Sequence, residues 1–92
     1  MDGMLKKRRA IIRKIRLLRI EFILKRSGPV TIEQILNILE SQFNIFAKRE
    51  AIHSDLTAIE TVYPIEKTIR QDRQMQYEID WYKIALENDG EI

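Results

Sequence analysis

Ninety-two residues, 45% of them apolar, suffice for one compact domain with one core and little stability to spare. The absence of cysteine excludes disulfide scaffolds, thiolate metal sites and cysteine nucleophiles, and a single histidine builds no zinc site. No apolar run reaches the roughly 18 residues of a membrane span, and the basic start lacks the apolar core of a secretory signal, so a cytoplasmic location without membrane contact is expected. The net charge of +2 conceals a polarity: ten basic residues precede residue 27 against Asp2 and Glu21, a balance of +8 that leaves −6 for the remainder. Such asymmetry points to an anionic partner for the N-terminal part, nucleic acid being the commonest, or to attraction between the chain's own halves.

Residues 5 to 26 read as one helix. Ile11, Ile15, Leu18 and Phe22 form a narrow apolar stripe assigned to the core, while Leu17, Ile20 and Leu24 fall on nearly the opposite side and require a second cover. Ser27, Gly28 and Pro29 end the helix. Thr31 with Gln34 fits a capping box, and Ile32, Ile35, Leu36 and Leu39 give a second helix its buried face to about Gln42. After an apolar turn at Phe43 to Phe46, a third helix is expected from about Ala47 to Val62, with Ile52, Leu56, Ile59 and Tyr63 on one side.

Pro64 stops that helix and the period changes. "IEKTIR" and "MQYEI" alternate apolar with polar residues around Gln71 to Gln74, the pattern of a two-stranded hairpin. From Asp80, as cap, a short helix runs to Leu86, and Asn88, Asp89 and Gly90 end it. The whole chain, 1 to 92, is thus one α+β domain, mainly α, with a basic first helix and a short C-terminal segment from about residue 80.

This order of elements, with Ser27-Gly28-Pro29-Val30-Thr31 leading into the second helix and Ala51, Ile52, Asp55, Leu56 and Ile59 spaced along the third, resembles the DeoR-type and WYL-associated winged helix-turn-helix domains. Tyr63-Pro64-Ile65-Glu66 matches the start of that family's wing, and the likeness covers roughly residues 10 to 80. It departs at Lys48, where a serine cap is usual, at Ser54 in place of an arginine, in the longer stretch from Glu40 to Phe46, and at the wing tip, where the family's glycines are replaced by Gln71 to Gln74. The resemblance implies a small cytoplasmic DNA-binding regulator of transcription; its stand-alone size suggests a phage or mobile element.

On this basis the third helix offers Lys48, Arg49, His53, Ser54 and Thr57 to duplex DNA, the wing offers Lys67, Arg70 and Arg73, and Lys6, Lys7, Arg8 and Arg9 form an arm that neutralises phosphates. The competing explanations are ordinary ones: a solvated helix face, an exposed loop arginine and a fraying helix start. Leu17, Ile20 and Leu24, together with Trp81, Ile84 and Leu86, supply the expected surface of a homodimer. Neither phosphate loop nor nucleophile elbow nor paired ligands appear, so the chain does not read as an enzyme and implies no cofactor. The alternative is a winged helix that docks on a protein, such as an inhibitor of a host factor, because Glu50, Asp55 and Glu60 give the third helix an acidic bias.

Overall fold

The computed structural model describes residues 2–89 and contains four helices and a small antiparallel sheet: α1 (Asp2–Arg26), β1 (Val30–Thr31), α2 (Ile32–Phe43), α3 (Arg49–Glu60), β2 (Ile65–Ile69), β3 (Met75–Ile79) and α4 (Trp81–Asp89). The expected stop at Gly90 and the chain beyond it lie outside the described residues.

Local chemistry accounts for most boundaries. Thr31 caps α2 reciprocally: its hydroxyl accepts from the Gln34 amide at 3.2 Å, and its own amide donates to the Gln34 side chain at 2.9 Å. At the other end Asn44 sits in the left-handed region (φ 53°), and the Ile45 amide reaches back to the Leu39 carbonyl at 2.9 Å. The long stretch after Leu39 is shared between helix and linker: α2 continues to Phe43, one residue past its expected end, and residues 44–48 connect it to α3. The third helix is shorter than expected at both ends. Lys48 is extended (φ −93°, ψ 158°), which delays the start to Arg49. Pro64 disfavours helical geometry at Tyr63, and the Val62 and Tyr63 amides both turn back to the Ile59 carbonyl at 2.9 Å.

The sheet has three strands rather than two, in the order β1-β3-β2. Ile65 pairs with Ile79 and Ile69 with Met75 across the hairpin, while Val30 and Thr31 pair with Tyr77 and Gln76. Strand β1 is only two residues long, too short to show alternation, and it ties the foot of α2 to the hairpin.

The core is built from Ile20, Ile23, Leu24, Val30, Ile32, Ile35, Leu39, Ile52, Leu56, Ile59, Tyr77 and Ile79. This reverses the expected orientation of α1. Ile20 and Leu24 are buried in the chain's own core and Leu17 packs against it, whereas Ile11, Ile15, Leu18 and Phe22 are exposed. Two apolar stripes with one spacing cannot be ranked by period alone. What separates them is the polar residue in register with each: Arg16, beside the inner stripe, meets a buried carboxylate, while Arg8 and Arg19 interrupt the outer stripe and stay exposed. Consequently Ile20 and Leu24 offer nothing to a second chain. At the C-terminus Ile84 likewise packs on the core, leaving Trp81 and Leu86 about half exposed.

Candidate nucleic-acid interface

Helix α3 buries Ile52, Asp55, Leu56 and Ile59, so its 3.6-residue repeat turns Glu50, His53, Ser54 and Thr57 to solvent. The hydroxyls on this face are not equivalent. Thr57 donates to the His53 carbonyl at 3.0 Å, so its oxygen faces solvent as an acceptor; Ser54 has no such internal bond among the described residues. Lys48 precedes the helix without capping it, and its ammonium stays exposed.

The start of α3 is flanked by two grooves. On one side Thr31, Ile32, Glu33, Arg49, Arg73, Gln74 and Met75 line a cavity of about 480 Å³ between the first turns of α2 and α3 and the hairpin tip. It joins two cations that are 24 positions apart in sequence. On the other side Arg16, Phe46, Ala47, Lys48, Glu50 and Ala51 line a shallower depression against α1.

The hairpin tip is a tight turn in which the Arg73 amide donates to the Arg70 carbonyl at 2.9 Å and the Arg70 amide to the Gln74 carbonyl at 2.8 Å. Arg73 takes up φ 66°, the left-handed position where such hairpins ordinarily carry glycine. An arginine there costs roughly 1–2 kcal/mol of backbone strain. The same residue lines the first groove.

Not every expected cation is brought there. Arg49 forms an ion pair with Glu33 across the groove. Lys67 is paired with Glu60 at 3.1 Å, on the side of the hairpin that faces the helices, and Arg70 with Asp72 at 3.5 Å in the turn. Lys6, Lys7, Arg8 and Arg9 lie on α1 and are exposed, outside the groove. Sequence reasoning missed Glu33 as the counter-charge of Arg49, because nothing in the chain links positions 16 apart on different helices. Among the described residues no cluster of three His, Asp or Glu side chains is placed to hold a metal, and no helix is long and apolar enough to cross a membrane.

No protein-family model, curated protein or solved structure matches the chain.

Proposed function

We propose that the chain is a winged helix-turn-helix module that binds duplex DNA and regulates transcription. The element order supports this reading: two helices joined by a linker, then a hairpin whose sheet takes its third strand from the segment before α2. In this arrangement α3 enters the major groove and the hairpin is the wing. The observation that carries the proposal is the groove that unites Arg49 and Arg73. Two cations on either wall of a channel suit a phosphate ridge, and the exposed hydroxyl of Ser54 and imidazole of His53 further along α3 have the donors and acceptors needed at base edges.

Glu33 opposes an anion in that channel, but weakly. Exposed pairs such as Arg49 with Glu33 contribute about 0–1 kcal/mol, so a phosphate oxygen can replace the carboxylate on Arg49 at small cost. The test is fluorescence anisotropy on duplex DNA with Glu33→Gln, Arg49→Ala and Arg73→Ala. Removing Glu33 should tighten binding and removing either arginine should weaken it on all sequences alike. Unchanged affinity in all three variants would exclude this channel as the DNA site.

Glu33 together with Glu50 in the first turn of α3 supports a second reading, a protein-docking winged helix with an acidic recognition face. That reading requires the wild-type chain to show no affinity for duplex DNA at low salt.

A further inference from the structure

The first half of α1 is a helix without a cover. Residues 3–15 are exposed, although Met4, Leu5, Ile11, Ile12 and Ile15 lie among them, and Leu18 and Phe22 continue the same stripe over the body of the domain. Met4, Arg8, Ile11, Ile15, Leu18, Phe22 and Lys25 follow one another at alternating spacings of four and three, the seam of a helix that packs against another helix. An isolated helical stretch of about 12–15 residues is marginal in water, and basic residues at its start work against the helix dipole. Seven large apolar side chains of this helix are each roughly half exposed or more, Phe22 among them although its ring meets Phe43 edge-on, and exposed apolar surface of this kind marks a contact surface.

A second unpartnered face lies at the other end of the chain. Helix α4 turns Ile84 to the core and leaves Trp81, Tyr82 and Leu86 exposed. The segment around it is acidic where α1 is basic: Glu78 on β3 and Asp80 just before the helix join Glu87 on α4 against Lys83, whereas α1 carries ten cations against Asp2 and Glu21.

We infer that the chain forms a two-fold dimer in which the outer stripe of α1 packs on α4 of its partner, and α4 on the partner's α1. Charge selects this pairing over α1 against α1, which would set two strongly basic helices side by side. It also favours a second copy over an unrelated partner, because both complementary faces are present on one chain and a two-fold axis uses each twice. Lys7 and Lys14, seven residues apart on one edge of the stripe, meet the acidic α4, while Lys6, Arg9 and Arg13 point elsewhere. The dimer does not depend on DNA binding and is read by mass alone.

Light scattering after size exclusion at micromolar concentration tests it. The wild-type chain should have the mass of two chains, and Ile11→Glu with Ile15→Glu should have the mass of one with its helical signal intact, since neither side chain is in the core. The charge-reversed α1 (Lys7→Glu, Lys14→Glu) and the charge-reversed α4 (Glu87→Lys, Asn88→Lys) should each be monomeric alone and form a two-chain species when mixed. A two-chain mass for the α4 variant alone would overturn the pairing in favour of α1 against α1. A one-chain mass for the wild type would overturn the dimer, and its co-sedimentation with phosphatidylglycerol vesicles would then assign the α1 stripe to a lipid surface.

Discussion

Arg16 on α1 grips the carboxylate of Asp55 on α3 with two nitrogens, Nη2 donating at 3.1 Å, and Asp55 is completely buried. Arg13 adds a longer contact at 3.9 Å. This buried pair sets the angle at which α1 crosses α3 and so the direction in which the uncovered half of α1 leaves the domain. Replacing Arg16 with alanine strands a buried charge and should cost about 3–5 kcal/mol, a large part of the roughly 5–15 kcal/mol that holds a small domain together. Arg16→Met with Asp55→Leu should cost much less than either single change. Thermal unfolding of the three variants checks this; additive losses would mean that the pair is not coupled.

A second polar link joins α1 to the segment just after α3. Glu21 accepts from Lys25 at 2.8 Å and from the Tyr63 hydroxyl at 2.8 Å, and the Lys25 ammonium sits 4.9 Å from the Tyr63 ring centre. These bonds, the one from Lys25 foremost, hold the Glu21 carboxyl below its ordinary value of 4.5, and Glu21 in turn raises the Lys25 ammonium above 10.5. The stabilisation from Glu21 is therefore present at neutral pH and lost as pH falls through its lowered folded-state value. That from Lys25 is present up to its ordinary value and disappears only as pH rises through the higher one. Urea titrations should show that Glu21→Gln loses stability at pH 7 and that the gap from wild type closes as the pH falls below the ordinary value of 4.5; a gap that stays constant into acid would assign the loss to packing.

Arg73 bears backbone strain for the sake of position. Arg73→Gly should raise stability by about 1 kcal/mol, equivalent to roughly 4–8 °C in Tm for a domain of this size, and weaken duplex DNA binding at the same time. A glycine variant that is more stable and binds as well as wild type would show that the wing tip does not touch phosphate.

In the proposed DNA-binding mode Ser54, with His53 and Thr57 beside it, meets bases rather than phosphates. Ser54→Ala with Thr57→Ala should narrow the difference between preferred and random duplexes while leaving random binding nearly unchanged. Competition with random DNA measures this difference directly. Equal weakening on both duplexes would place α3 outside the major groove.

Much of the fold was legible where a residue acts on its immediate neighbours. The Thr31 and Gln34 box, the stop at Pro64 and the alternation of residues 65–69 and 75–79 each carry their own local energy, and each element formed within two or three residues of its expected place. Relations across the chain were not legible. The pairing of Val30 with Tyr77 joins positions 47 apart, and the choice between the two stripes of α1 rests on Asp55, whose burial shows only once α3 has packed. The same distance effect governs the candidate site. The cations were readable as cations, but that Arg49 and Arg73 share a groove while Lys67 is turned to Glu60 follows from the register of the sheet.

The salt dependence of binding to duplex DNA tests the proposed function most directly, because phosphate neutralisation releases counterions whatever the operator sequence. With roughly five phosphates met by Lys48, Arg49, Arg73 and the basic start of α1, log K should fall against log salt with a slope of about −4.5. Arg49→Ala and Arg73→Ala should each make the slope shallower by about 1. No binding of the wild-type chain at low salt would contradict DNA recognition and leave the protein-docking reading in its place.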